Sequence, residues 1–339
     1  MRRFVRSCVL ALLATLMLGV SACTPSGTAQ PTTLKPLPNS VTGSDAYAQP
    51  GIAVPPPSGG KPSDAVTPDR PGDSRTVPDA GSGSATAGTD NPSVEVPLSA
   101  LPTLQQGDSG PAVTRLQQLL GELGYLPLGF QPDGEEPGTL NAQRRAVLSP
   151  PSGTWKVSYP NTPSALTDLW AAGQFNTLVR GAVMTFQEAK GLETDGVVGP
   201  KTWAALLTDA LAKRANPFGY TFVTVNTRVP QTLTVWWNGK TVLTSPANTG
   251  IAQSPTVHGT FPVYLRYRSQ TMSGVTPWGE RYSDPGVPYV SYFYGGEAVH
   301  GFERASYGTP QSLGCVELPV ANAAVAWKYM HYGTLVQIR

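Results

Sequence analysis

HGFERASYGTPQSLGCVEL, residues 300–318, brings Cys315 and His300 into one short stretch. The 339-residue chain has three cysteines and three histidines. Cys8 and Cys23 fall within the first 23 residues, so Cys315 is the sole thiol of the remainder. A thiolate is a strong nucleophile, and a positioned imidazole takes a thiol proton and later returns it to a leaving amine. A buried, inert cysteine fits the same pair of residues, because free Cys packs as a small hydrophobe. Ser312 and Gly314 crowd the thiol, and glycine there lets backbone and substrate approach closely.

The surrounding pattern is strand-like from about residue 218 to residue 339. Phe222, Thr224 and Asn226 alternate with Val223 and Val225. Leu233, Val235 and Trp237 run to Asn238-Gly239, and Val242-Leu243 follow. Asn-Gly between two such runs marks a hairpin, because both turn residues take positive φ. Phe261, Val263 and Leu265 read as one further alternating strand. Residues 289–294 read as a strand leading to Val299 and His300, which puts the imidazole at a strand end. Pro319 opens a helix with Val320, Ala323, Ala324 and Trp327, and Leu335, Val336 and Ile338 close the chain as a strand. These short strands predict a β-rich, sandwich-like domain over residues 218–339. Cys315 lies just ahead of the Pro319 helix, whose dipole is expected to favour its thiolate.

Residues 101–214 read as a helical domain. Val113, Leu116, Leu119, Leu120 and Leu123 recur at helical spacing and stop at Gly124. Leu178, Val179, Ala182, Val183 and Phe186 repeat the pattern up to Gly191. Asp195-Gly196 makes a turn, and Pro200 opens a third helix with Trp203, Leu206, Leu207 and Leu211. A small three-helix-type bundle follows. Residues 128–174 interrupt it and carry Trp155, Tyr159 and Trp170.

The first 23 residues read as an export signal. Arg2, Arg3 and Arg6 precede an apolar run over residues 9–20, too short to span a bilayer. Residues 24–100 are dominated by Pro, Gly, Ser, Thr and Ala. Apolar residues there are too sparse to offset chain ordering. A flexible tether of about 75 residues has an r.m.s. reach of about 45–50 Å.

Three stretches resemble known families. Val20-Ser21-Ala22-Cys23 resembles a lipobox, which implies lipidation of Cys23 and anchoring to the outer face of a bacterial membrane, with action in the wall or periplasm. Gly107-Asp108-Ser109-Gly110, Leu116-Gln117, residues 182–187, residues 195–200 and residues 202–206 resemble the peptidoglycan-binding module of bacterial wall enzymes. His300-Gly301, followed by Ser312-Leu313-Gly314-Cys315-Val316-Glu317, resembles the signature of the L,D-transpeptidases (the YkuD-type domain), as does PTVHGTF at residues 255–261. Leu313 stands where that family usually has His, and Glu317 where it usually has Asn or Arg.

The resemblance implies a cysteine acyltransferase. Cys315 would attack a donor tetrapeptide stem, D-Ala would leave, and an acceptor amine would resolve the acyl-enzyme into a 3→3 cross-link. His300 would act as base and then acid, oriented by a backbone carbonyl such as that of Gly301. Backbone N–H groups around Gly314 and Cys315 would form the oxyanion hole, worth about 3–4 kcal/mol per donor. Ser312 either contacts the site or holds the loop, and Tyr292, Tyr294 and Glu317 are candidates for substrate contact. Stem peptides, wall glycan and, as covalent inhibitors, carbapenem-type β-lactams are the implied partners. Two alternatives stand beside this reading: an L,D-carboxypeptidase in which water resolves the acyl-enzyme, and an inactive wall-binding scaffold.

Other classes find little support. The net charge is only +2, with no aromatic-interleaved basic stripe, so nucleic acid is not an expected partner. His258 and His331 show no zinc-enzyme spacing, and no cofactor is expected. His258 reads as a surface residue and His331 as a helix cap.

Overall fold

The computed structural model describes residues 95–339. The expected export signal, the expected lipidation site Cys23 and residues 24–94 of the expected tether lie outside the described residues. The last part of that tether is ordered: a 3-10 turn spans Leu98–Ala100, and Val96 and Leu98 pack against the helical core.

The helical part comprises α1 (Pro111–Glu122), a hairpin of β1 (Leu128–Pro132) and β2 (Gly153–Val157), α2 (Leu140–Leu148), the short α3 (Ser164–Thr167), α4 (Thr177–Lys190) and α5 (Pro200–Ala212). The three expected helices are α1, α4 and α5. Residues 128–174 add the hairpin, α2 and α3, so the region is more elaborate than a three-helix bundle. Local chemistry sets the ends. The Asn176 side chain accepts the Leu178 and Val179 amides at the start of α4, and Gly191 closes it at φ +64. Proline occupies the first turn of both α1 and α5. Leu116, Leu120, Phe186, Trp203 and Leu206 are buried in one core, each contributing about 1.5–3 kcal/mol relative to exposure.

The remainder holds two sheets. One has five strands in the order β5 (Lys240–Pro246), β4 (Thr232–Trp237), β3 (Thr221–Asn226), β11 (Leu335–Ile338) and β6 (Gly259–Pro262). The other has four: β10 (Val316–Leu318), β9 (Glu297–Gly301), β8 (Arg281–Tyr294) and β7 (Leu265–Val275). Val223, Val225, Leu233 and Val235 of the first sheet share a core with Val299, Val316 and Leu318 of the second and with Ala323 and Ala326 of α6 (Val320–Tyr329). Asn238 and Gly239 take φ +45 and +82, as the hairpin reading requires.

One expectation is corrected here and another, a strand at residues 289–294 leading to His300, is met by a longer strand. Phe261, Val263 and Leu265 do not share a strand: the chain leaves the five-stranded sheet at Pro262, and β7 begins in the other sheet at Leu265. Val263 instead exchanges backbone hydrogen bonds with Gly333 and Thr334. Residues 289–294 are only the end of β8, whose outer half pairs with β7 in a long hairpin.

Helix α4 seats the helical part on the sheets. Thr185 donates to the Tyr332 carbonyl (2.8 Å), and Glu188 accepts from Arg266 (3.2 Å) and from the Tyr332 amide (2.9 Å). Tyr159 donates to Asn238 (2.8 Å), which fastens the inserted segment to the β4–β5 turn.

Candidate active site

His300 and Cys315 are brought together by a ladder of three residue pairs. Strands β9 and β10 run parallel, with Val316 opposite Val299 and Glu317 opposite His300. Side chains alternate across a strand, so Val299, Val316 and Leu318 turn to the core while His300 and Glu317 share the other face. Cys315, one residue before β10, joins that second face, packing with Ala298 and Tyr292. Nucleophile and imidazole therefore stand on the same face of neighbouring strands, one diagonal step apart.

The imidazole is fixed. His300 is buried, and its Nδ1 lies 3.0 Å from the Gly301 carbonyl oxygen. A carbonyl only accepts, so Nδ1 carries the proton and Nε2 keeps its lone pair. Burial lowers the imidazole pKa; the Gly301 hydrogen bond and the Glu317 charge oppose that shift. Space at Gly301 is tight: a Cβ would stand 3.1 Å from Pro288 and 3.2 Å from Val320.

The thiol is not the dipole-stabilised thiolate expected from its place ahead of a helix. Strand β10 intervenes between Cys315 and α6, so the helix N-terminus is spent beyond Leu318. Burial pushes the thiol up to about 12; a backbone hydrogen bond at Ala298 lowers it, and the charges of Glu317 and Glu297 raise it. The residue keeps partial exposure, and its sulfur lies 3.9 Å from the Gly296 carbonyl oxygen.

The loop between base and nucleophile is pinned at many points. Ser312 Oγ donates to the Cys315 carbonyl (2.5 Å) and accepts the Gly314 amide (3.2 Å). That occupies one of the two expected oxyanion donors at rest. Gly314 takes φ +112 and packs against Glu297, which accepts the Val257 amide. Thr256, in the PTVHGTF segment, donates to the Gly314 carbonyl (2.8 Å). Asn248 and Glu317 exchange backbone hydrogen bonds, 2.9 Å in each direction.

The expected substrate contacts divide. Tyr292 is buried beside Cys315 with its hydroxyl bonded to Gln270. Tyr294 is exposed and packs at a tilt against Phe261, ring centroids 4.8 Å apart. Glu317 is buried and bound to Arg304 by two short hydrogen bonds, 2.8 Å from Nε and 2.7 Å from Nη2, so its carboxylate is committed within the protein. Arg304, Thr256, Asn248 and Asp284 are site residues that sequence reading missed. Only Thr256 carried a signal, by lying in the PTVHGTF segment. Asp284, on the outer half of β8, acts through its charge on both His300 and Arg304. His258 is exposed near Thr227, as expected. His331 stacks on Phe218 (3.8 Å) and faces Glu188 (3.3 Å); it follows α6 without capping it through its side chain.

A buried, tautomer-fixed imidazole and, among the described residues, a single thiol on one sheet face are the parts a cysteine acyl-transfer site needs. Comparison with known families agrees: residues 220–338 match the L,D-transpeptidase catalytic domain (YkuD), and residues 160–206 match a putative peptidoglycan binding domain. The chain carries both of these domains.

Among solved structures, an L,D-transpeptidase from Mycobacterium smegmatis is 22% identical, over 35% of this chain and 58% of its own length, at a TM-score of 0.31. The catalytic domain of an E. faecium L,D-transpeptidase is 23% identical, over 35% of this chain and 96% of its own, at 0.33. A fused Zn-dependent amidase/peptidase/peptidoglycan-binding protein from Clostridium acetobutylicum is 18% identical, over 70% and 99%, at 0.38. This chain thus spans 58% of the mycobacterial protein's length. No curated protein sequence matches it.

Proposed function

We propose that this protein is a peptidoglycan L,D-transpeptidase that forms 3→3 cross-links. The observation that carries the reading is the placement of Cys315 and His300 on one sheet face, with the Nδ1 proton of His300 engaged by Gly301. That leaves Nε2 as the proton acceptor.

The steps balance as follows. His300 Nε2 takes the Cys315 proton as sulfur bonds to the carbonyl carbon of the third stem residue. The peptide C–N bond breaks, and the proton passes to the departing D-Ala amine. The acceptor amine then attacks the thioester, its proton goes to His300, and the sulfur leaves and is reprotonated. A resting neutral thiol beside a neutral imidazole suits this sequence, because charge appears only when a substrate fills the site. Cys315 is also the expected site of acylation by carbapenem-type β-lactams. The peptidoglycan-binding domain would hold wall glycan, and lipidated Cys23 would anchor the chain at the membrane.

Incubating the full chain with a disaccharide-tetrapeptide and weighing the products tests this. A cross-linked dimer lacking one D-Ala, absent with Cys315→Ala, is the expected result. Tripeptide alone would replace the transferase with a hydrolase. Identical products from both proteins would leave a wall-binding scaffold.

A further inference from the structure

Glu317 occupies an unusual position. It is buried at 4% exposure, stands opposite His300 in the β9–β10 register, and has its main chain held on the far side by Asn248. Its carboxylate is gripped by Arg304, whose Nη2 also reaches the Gln311 carbonyl and whose guanidinium lies over Phe302 at 4.6 Å. Arg304 belongs to the loop that joins base to nucleophile. Tyr307 ties the same loop, donating to the Phe302 carbonyl and accepting the Arg304 amide.

We propose that Glu317 is a positioning residue that acts through His300: opposite the imidazole and locked in place by Arg304, its carboxylate steadies the imidazolium formed during proton transfer. This rests on the transpeptidase reading above for the reaction, though not for the geometry. The charged groups around the imidazole are Glu317 from β10, Arg304 from the following loop and Asp284 from β8. Arg304 opposes a positive imidazole, so the two carboxylates must outweigh it, and Glu317 is the one fixed on the neighbouring strand. The same carboxylate disfavours a free thiolate. The pair is thereby biased toward a neutral thiol at rest and toward His300 as the carrier of transferred charge.

The test follows the imidazole nitrogens of His300 by NMR titration of the full chain, with turnover and thermal midpoint measured alongside. Glu317→Gln should move the imidazole midpoint to lower pH and cut kcat about tenfold with little change in KM. Glu317→Asp, which keeps the charge, should recover most of both. The charge swap Glu317→Arg with Arg304→Glu separates the two possible roles. A restored ion pair should bring back the thermal midpoint while the imidazole midpoint stays low and turnover stays poor. An unshifted imidazole in a folded Glu317→Gln protein, or full turnover in the swap, would overturn the proposal. If the wild-type chain converts no stem peptide, the transpeptidase reading fails on its own. The imidazole midpoint and the rate of Cys315 alkylation still decide this proposal, because neither needs a substrate.

Discussion

Gly181 of α4 and Gly333, just before β11, meet backbone to backbone. A Cβ built on Gly181 would stand 2.5 Å from the Gly333 carbonyl oxygen, and one built on Gly333 would stand 2.0 Å from that of Gly181. Nothing larger than hydrogen fits at either position. Gly181→Ala or Gly333→Ala should therefore cost about 2–3 kcal/mol in urea unfolding, the scale of overpacking in a tight core. Gly124 is the control: its φ is +76 but nothing lies within 4 Å of the Cβ position, so Gly124→Ala should cost about 1–2 kcal/mol. A Gly333→Ala protein as stable as Gly124→Ala would show that the contact yields.

The thiol offers a direct chemical readout. With Cys315 pushed up to about 12, little thiolate exists in the resting protein at neutral pH. Its alkylation by iodoacetamide should be slow at pH 7 and still climbing at pH 10, where an activated cysteine would have levelled off. Turnover should behave differently. His300 has a lowered pKa and acts as a neutral base, so the acid limb of kcat/KM should lie below the ordinary imidazole value of 6.5. An alkylation plateau below pH 8 would contradict the first expectation.

Glu297 links the site to stability. Burial pushes its carboxyl up to about 7 from an ordinary 4.5, with the Val257 hydrogen bond working the other way. Between those two values the folded protein holds a proton that the unfolded chain has released. Folding then binds more protons than unfolding, so stability falls as pH rises from about 4.5 through about 7. Glu122 has the same direction, with burial again the leading cause, and adds to the slope. Glu297→Gln keeps an acceptor for Val257 and should flatten part of the fall, as read from thermal midpoints at pH 5, 6 and 7.5. An unchanged slope would remove Glu297 from the account.

The elements whose chemistry is local were legible in the sequence. Asn238-Gly239, Gly191, Pro200 and the alternating residues of β3 and β4 each dictate their own geometry, and the structure has them where expected. The β7–β8 hairpin was not legible, because much of both its outer strands is exposed and no apolar alternation marks them. Strand β10 is three residues long, too short to announce itself, and missing it made a helix dipole look available to Cys315. Within the site, His300 and Cys315 are readable from residue type and spacing. Arg304 is not, since its partner Glu317 lies 13 positions away and only the fold brings the two together.

Glu188 gives a prediction about the seating of α4. It pairs with Arg266, whose guanidinium also donates to the Trp327 carbonyl (2.7 Å) and stacks on the Trp327 ring at 4.3 Å. Removing the acid leaves a largely buried cation without its counter-charge, so Glu188→Ala should cost about 2–4 kcal/mol. Adding Arg266→Met should recover most of that loss by replacing the stranded cation with an apolar chain. A double variant no more stable than the single one would place the energy in the contact of Glu188 with Tyr332 and His331.

Because the thiol stands one residue before β10 and the imidazole on β9, the strand parallel to it, their alignment has no hinge of its own. A slip of a single residue between β9 and β10 would turn Cys315 toward the opposite face, and any smaller drift is resisted by the ladder's hydrogen bonds and by Asn248 behind it. The chemistry and the architecture therefore share a single fate: heat should abolish the site only by melting the sheet, with no warm, folded and misaligned state in between.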